Sequence, residues 1–309
     1  MNRRPVTNLP ASIHQLLLNK ARQTHRPFNE VLQYYAMERF LYRLSRSPYA
    51  DRFILKGALM FRIWDLESYR PTKDIDLAGK TVNDVENLVA IFKEVSSQRV
   101  EPDGLNFNPK SVTGVRIAEE ANYAGARIRL QVKLGTARVS VQLDVGFGDI
   151  IVPSPELVEY PSILHFPPPR LKGYNKESVV AEKFESLVAL GILNSRMKDY
   201  FDIWTLCRRF DFDGHTFSQA IAKTFSNRHT EVDPNPVGLS VRFSEDPAKT
   251  AQWRGFVRKG GLQNSPDLRT VVASIAGFLI PVATALVKEN DFRANWHAPG
   301  PWIIPSAEP

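Results

Sequence analysis

The sequence is poor in the residues that build disulfides and zinc sites. Cys207 is its one cysteine, which excludes an internal disulfide, and six scattered histidines give no zinc-ligand spacing. No Gly-x-x-x-x-Gly-Lys-Ser/Thr, Gly-x-Gly-x-x-Gly or His-Glu-x-x-His pattern occurs. These absences disfavour Walker-type ATPases, dinucleotide-dependent enzymes and zinc proteases.

Long hydrophobic runs are also scarce. The most membrane-like one, residues 271–287, reaches only the lower limit of the about 17 to 25 residues that span a bilayer, and Pro281 interrupts it. We therefore predict a buried or kinked helix there, and no membrane partner. Residues 1–20 lack the apolar core and cleavage site of a secretory signal, so with a single cysteine we expect a cytoplasmic protein.

Basic residues exceed acidic residues by a modest margin. Forty Lys and Arg against 33 Asp and Glu give a formal net charge of +7, which favours anionic partners. Two basic runs, residues 170–176 and 253–261, mix cations with aromatic side chains as RNA-binding surfaces often do. An ordinary solvated face is the alternative explanation for either run.

Periodicity divides the chain into a mixed region and a helical one. Apolar residues recur at helical spacing between residues 10 and 47, which predicts two helices before any strand. Residues 123–150 alternate apolar and polar side chains, which predicts a two-stranded hairpin. Mainly helical patterns follow a linker rich in proline and glycine, residues 167–175. We expect an N-terminal domain over residues 1–172 and a mainly helical C-terminal domain over residues 173–309.

Three aspartates are expected to share one face of the N-terminal domain. In the segment "KDIDLAG", Asp74 and Asp76 project to one side of an extended chain and the apolar residues to the other. Asp144 lies on the polar side of the strand "RVSVQLDVGF" and can reach the same surface. Clustered like charges cost free energy unless a cation neutralises them, which predicts a site for Mg²⁺ or Mn²⁺. The alternative is a chance Asp-x-Asp whose carboxylates are solvated at the end of a strand.

The stretch "FILKGALMFRIWDLESYRPTKDIDLAG" resembles the opening of the nucleotidyltransferase fold in the AbiEii/AbiGii toxin family. These toxins belong to type IV toxin-antitoxin systems and include the mycobacterial MenT group. Further on, "SVVAEKFESLVALG" and "SRMKDYFDIWTL" are similar to the later helical motifs of the family. The resemblance covers roughly residues 10 to 210. It implies an α+β fold, with a nucleotidyltransferase-fold mixed sheet, flanking helices and a helical C-terminal domain that completes the active-site cleft.

The resemblance implies an enzyme that transfers NMP from an NTP to an RNA acceptor, most plausibly the 3′ end of tRNA, and so blocks translation. Asp74 and Asp76 are expected to be metal ligands, with Asp144 as third ligand or as base near the attacking hydroxyl. The remaining positions that match the family motif are expected to bind the nucleotide, and these are Lys56, Gly57, Ala58, Arg70 and Thr72.

One of these positions has a physical rationale, and another departs from the usual pattern of nucleotidyltransferases. Gly57 would let the backbone approach a phosphate. Many nucleotidyltransferases place a serine where this chain has Ala58, so a hydroxyl contact to the phosphates is missing and Lys56 or the backbone must substitute.

The resemblance adds residues of the C-terminal domain and a protein partner. Lys183 lies in the apolar stripe of a predicted helix, either as a cation directed at the triphosphate or as a snorkelling stem. Asp199, or Asp202 one turn later, is expected to contribute to the site, although a carboxylate also suits a helix start. A cognate antitoxin is expected, and because some relatives are silenced by phosphorylation beside the aspartates, Thr72 is the candidate acceptor.

Two other functions compete with nucleotidyl transfer. One is a catalytically degenerate binding module that keeps the fold, for which Ala58 is the only support. The other is a metal-dependent nuclease that uses the same carboxylates.

Overall fold

The computed structural model of the protein describes residues 8–64, 70–119, 123–262 and 264–305. The chain divides into two compact units. The N-terminal unit comprises Met1–Gly148 and Glu156–Gly173, and the C-terminal unit comprises Asp149–Pro155 and Tyr174–Pro309. The predicted domains, residues 1–172 and 173–309, stay a prediction. The short segment Asp149–Pro155 precedes the predicted boundary but groups with the C-terminal unit.

The N-terminal unit begins with the two predicted helices. They are α1 (Leu9–Gln23) and α2 (Phe28–Ser45), followed later by the short α3 (Met60–Ile63) and by α4 (Val85–Ser96). Polar side chains cap two of them, because Asn8 accepts from the amide of Ala11 and Asp84 from that of Asn87. These caps satisfy amides that a helix start leaves without partners.

A seven-stranded mixed sheet forms the centre of the N-terminal unit. Its order is β3-β4-β5-β2-β1-β7-β6. The pairs β2–β5 and β1–β7 are parallel and the others antiparallel, which confirms the predicted mixed sheet and the predicted β4–β5 hairpin. The strands are β1 (Phe53–Lys56), β2 (Asp74–Gly79), β3 (Leu105–Glu119), β4 (Tyr123–Leu134), β5 (Ala137–Phe147), β6 (Glu156–Glu159) and β7 (Arg170–Gly173).

Three strands of this sheet, β3, β6 and β7, were absent from the sequence prediction. β7 lies inside the segment predicted as a linker, where it pairs in parallel with β1 and buries Leu171. Four residues next to prolines are too few to show an alternating pattern. The 15-residue strand β3 was missed because its register shifts between Asn108 and Thr113, which breaks the period of two.

The apolar positions of the central strands fix the register of the sheet. Ile75 and Leu77 of β2 and Leu143 of β5 are fully buried in a core that includes Phe40 of α2 and Phe92 of α4. Burying each such side chain contributes about 1.5–3 kcal/mol. Because side chains alternate along a strand, the aspartates between these positions lie on the opposite face of the sheet.

Buried ion pairs fasten α2 to the loop before β3. Arg43 Nη1 lies 2.6 Å from Asp103 Oδ2, and Arg39 Nε lies 3.2 Å from the same oxygen. All three side chains are buried, so loss of one partner would leave an uncompensated charge in the interior, at a cost of about 3–5 kcal/mol. The helix layer beneath the sheet is therefore held by charge as well as by apolar packing.

The C-terminal unit is mainly helical. A small three-stranded sheet accompanies its helices, with β8 (Phe212–Asp213), β9 (Asn295–Trp296) and β10 (Trp302–Ile303) in the order β10-β9-β8. The helices are α5 (Lys176–Leu190), α6 (Met197–Arg209), α7 (Gly214–Asn227), α8 (Val241–Ser244), α9 (Pro247–Gly260) and α10 (Leu268–Val287).

Helix α10 contains the apolar run that was predicted to be a buried or kinked helix. The helix continues through Pro281, which lies on its exposed side. The carbonyl of Gly277 has no amide partner at this proline, but Gly277 is also exposed on the same side of the helix. Its opposite side is buried, and the ring of Phe278 packs 4.9 Å from that of Phe212 and 5.6 Å from that of Trp302. Within the described residues α10 is the one helix that could cross a membrane by length and composition, but this apolar side lies in the core.

Candidate active site

The structure brings the three predicted carboxylates together on the polar face of the sheet. Strands β2 and β5 run in parallel, with Asp76 directly beside Asp144 and Asp74 beside Gln142. One oxygen from each of the three aspartates lies within 4.8 Å of the other two. Asp144 is buried, and Asp74 and Asp76 are half-buried. The apolar residues between them anchor both strands in the core, so the cluster sits on a rigid support.

Arg127 is a site residue that the sequence analysis did not identify. It lies opposite Asp144 in the β4–β5 ladder, and its Nε and Nη2 donate to the two carboxylate oxygens at 2.8 and 2.7 Å. A bidentate contact of this kind fixes the plane of the carboxylate. The alternation of "ARIRLQVKLG" already places Arg127 on the polar side of β4. Only the cross-strand register reveals that it faces Asp144.

Gly57 makes room for one of the carboxylates. Its φ of +71° is a left-handed conformation, and a Cβ at this position would lie 1.9 Å from Asp76 Oδ2. The preceding residue, Lys56, is the register partner of Asp76 across β1 and β2. Glycine is therefore required here by the backbone conformation and by the neighbouring carboxylate. The predicted approach of its backbone to a phosphate stays a prediction.

The neighbours of these positions have different environments. Ala58 is 3% exposed in the 3₁₀ turn Gly57–Leu59, so its methyl group is part of the core. Thr72 donates its hydroxyl to Asp74 Oδ1 and its amide to the Tyr34 hydroxyl at 3.0 Å. Thr72 thereby orients Asp74, a contact that the sequence could not show. Arg70 is half-buried two residues before Thr72.

The C-terminal unit holds a second charged cluster, built from α5 and α6. The Lys183 ammonium lies 2.5 Å from Asp199 Oδ1 and 2.9 Å from Asp202 Oδ2. Arg196 Nε lies 2.9 Å from the other oxygen of Asp199. Lys183 is mostly buried and its ammonium group is held by ion pairs, so its side chain does not extend to solvent as a snorkelling lysine would. Both candidate aspartates of the predicted site contact this one lysine.

Asp199 is ionised at neutral pH. Burial alone would raise the pKa of this carboxyl, but the charges of Lys183 and Arg196 outweigh burial and lower the pKa to about 2. The cluster is therefore a set of charged groups that compensate each other inside the unit.

The aspartate cluster of the N-terminal unit fits a divalent ion. Carboxylate oxygens are the ligands that Mg²⁺ and Mn²⁺ prefer, and two oxygens on one Mg²⁺ lie at most about 4.2 Å apart. The observed limit of 4.8 Å exceeds that distance by about 0.6 Å. Small side-chain rotations would place all three oxygens on one ion or let them bridge two.

Comparison with known proteins identifies one matching family. The family model described as nucleotidyl transferase AbiEii toxin, type IV TA system, matches residues 39–274, a segment that contains both charged clusters. No curated protein matches this chain significantly.

Two solved structures from Helicobacter pylori, JHP933 and a protein proposed to be a nucleotidyltransferase, are each 15% identical in sequence. Their TM-scores are 0.48 and 0.47, and each alignment covers 84% of this chain and 94% or 97% of the other.

Proposed function

Since this chain belongs to the family of AbiEii nucleotidyltransferase toxins of type IV toxin-antitoxin systems, we propose that it transfers a nucleoside monophosphate from an NTP to RNA. The proposed acceptor is the 3′ end of tRNA, and its modification would block translation. The observation that carries the proposal is the gathering of three carboxylates within 4.8 Å on two neighbouring strands. Such a donor set suits a metal-dependent phosphoryl transfer.

The proposed metal ligands are Asp74, Asp76 and Asp144, and the proposed ion is Mg²⁺ or Mn²⁺. When bound, the ion would neutralise charge on phosphoryl oxygens and activate the attacking hydroxyl. Between the two roles left open for Asp144, we favour ligand over base, because Arg127 occupies hydrogen-bonding positions on both of its oxygens. Thr72 holds Asp74 in place through its hydroxyl.

The other roles are proposed from the family motif. Lys56, Arg70 and Lys183 are cations suited to triphosphate oxygens, and Gly57 and Ala58 form the turn beside Asp76. Asp199 and Asp202 would position Lys183 through the two observed ion pairs. The family also implies an antitoxin partner. Phosphorylation of Thr72 by an antitoxin stays a proposal, and it would disrupt the hydrogen bond to Asp74.

A labelling experiment tests this function. The protein is incubated with each radiolabelled NTP, total tRNA and Mg²⁺, and we expect labelled, lengthened tRNA that disappears with EDTA. Asp76→Asn is expected to lower the rate by more than about 100-fold and to weaken Mn²⁺ binding, since it removes a direct ligand. The matched control is Asp51→Asn, which makes the same chemical change in the same unit. The Asp51 side chain is 87% exposed and pairs with Lys172, so this control should keep its activity.

Three results would contradict the proposal. Shortened RNA would indicate the metal-dependent nuclease, and unchanged RNA with every NTP would indicate the binding module. Full activity of Asp76→Asn would show that the carboxylate cluster is not the catalytic centre.

A further inference from the structure

A row of basic side chains continues the polar face of the sheet away from the carboxylates. Arg129 and Lys133 of β4 lie on the same face as Arg127, because they are two and six residues further along the strand. Arg138 of β5 is the register partner of Lys133. Arg129, Lys133 and Arg138, here called the basic face, are exposed. Together with Arg127 they extend about 20 Å from the Asp144 row to the hairpin turn.

The charge of this basic face is not compensated by neighbouring acids. Strand β4 contains no Asp or Glu, and Asp144 is the one acidic residue of β5. Arg129 donates to the neutral Gln142 at 3.1 Å. Among the described residues, none of the three basic side chains forms a salt bridge. The face therefore presents a surplus of positive charge to solvent.

One pair of like charges within the basic face lowers the stability of the fold. Lys133 and Arg138 lie directly opposite each other, and like charges at cross-strand positions destabilise a sheet. An anion placed between them would relieve this repulsion. The next register pair on the same face consists of Gln131 and Ser140, whose neutral polar side chains can hydrogen-bond to sugar and phosphate oxygens.

We infer that the basic face binds the phosphate backbone of the acceptor RNA. This inference depends on the proposed transfer to RNA and adds the surface that holds the acceptor. Arg129 and Gln142 form the next register pair on this face after Arg127 and Asp144, so an RNA end at the carboxylates has its preceding phosphates over the basic face. Residues 127–134 of β4 and 137–144 of β5 include no aromatic residue, so the basic face binds the RNA backbone independently of sequence.

A triple substitution tests the basic face in the full-length protein. Arg129→Gln, Lys133→Gln and Arg138→Gln are combined, and the affinity for labelled total tRNA is measured from 50 to 300 mM KCl without NTP. We expect the slope of log K against log salt to fall by about 3, and affinity at 0.1 M salt to fall at least about tenfold. In the transfer assay, KM for tRNA rises and KM for NTP does not change.

The matched control removes the same charges from the helical side of the unit. It combines Arg22→Gln, Lys93→Gln and Arg99→Gln, at three exposed positions that are remote in sequence from β4 and β5. We expect the tRNA affinity of this control to lie within about twofold of wild type, because only the overall charge changes. Thermal unfolding of both triple variants checks the fold. Arg138→Gln alone is a milder variant at the hairpin end, and it should lower the salt slope by about 1.

Two outcomes overturn the inference. One is wild-type tRNA affinity in the basic-face variant. This result would overturn the inference even if the variant had lost affinity for an acidic protein. The other is an equal loss in the control variant, which would show that net charge and not this face binds RNA. Both are distinct from failure of the proposed function, in which the wild-type protein itself adds no nucleotide to tRNA.

Discussion

The two charged clusters of the molecule differ in how their carboxylates are compensated. In the C-terminal unit, Asp199 and Asp202 share the ammonium of Lys183, and Arg196 adds a second cation, so two charges of each sign are in contact. In the N-terminal unit, three carboxylates approach within 4.8 Å, and Arg127 contacts one of them. The first cluster holds two contacting cations within its own unit, whereas the second is the cluster for which we propose a divalent ion.

This difference predicts that the two clusters respond differently to substitution. A compensated cluster stabilises the fold only while its buried members are all present, since removing a buried member leaves the others unpaired. A cluster of like charges costs stability in the absence of its ion, as is common at active sites. We therefore expect substitutions in the C-terminal cluster to be costly for folding, and substitutions of the three aspartates to be costly mainly for activity.

The largest effect on folding is expected for Lys183→Met. The change leaves Asp199 and Asp202 buried without their shared cation, and we expect a loss of about 3–5 kcal/mol in the free energy of unfolding, measured by urea denaturation. Adding Asp199→Asn and Asp202→Asn should restore part of this loss. The matched control is Arg196→Gln, which removes a cation that is 38% exposed and should cost less than about 1 kcal/mol. Equal losses for Lys183→Met and Arg196→Gln would contradict the comparison.

Gly57→Ala is expected to have the next largest effect. The left-handed backbone costs alanine about 1 kcal/mol, and displacement of Asp76 by the new methyl group costs a further 1–3 kcal/mol or so. Because Asp76 moves, we also expect a roughly 100-fold loss of transfer activity. The readouts are thermal unfolding and tRNA extension.

The control for Gly57→Ala lies in a helix of the C-terminal unit. No atom lies within 4 Å of a Cβ at Gly255 in α9, so Gly255→Ala should be neutral or stabilise by up to about 1 kcal/mol. If both alanine variants behaved alike, the tight approach between Gly57 and Asp76 would not matter to the site.

Local patterns were sufficient to predict the elements that carry the site. The alternation in β2 and β5 placed Asp74, Asp76 and Asp144 on the polar face, because a period of two is a property of each strand by itself. The hairpin β4–β5 and the helices α5 and α6 were also predicted, since their periodic segments are long. The role of these carboxylates as metal ligands stays a proposal.

Contacts between distant segments could not be predicted. Arg127 meets Asp144 only through the register of two strands, and Thr72 is held by Tyr34 from α2. The pairing of β7 with β1 likewise joins residues that are distant in sequence, since Ile54 pairs with Lys172, and no local pattern encodes such a contact. The short strand β7 therefore lies in a segment that the sequence analysis predicted to be a linker.

The smallest expected effect is the pH dependence of the C-terminal cluster. The pKa of Asp199 is lowered in the folded protein to about 2 from an ordinary value of 3.8, so its contribution is fully present above pH 4 or so and is lost as the pH falls through about 2. Urea unfolding at pH 5 and pH 3 should show the stability difference between wild type and Asp199→Asn shrinking by about 1 kcal/mol. Glu231→Gln, which removes an exposed carboxylate from the same unit, should show no such convergence. A constant difference between wild type and Asp199→Asn over this range would mean that Lys183 does not hold Asp199 ionised, and the two clusters would then be less different than their contacts suggest.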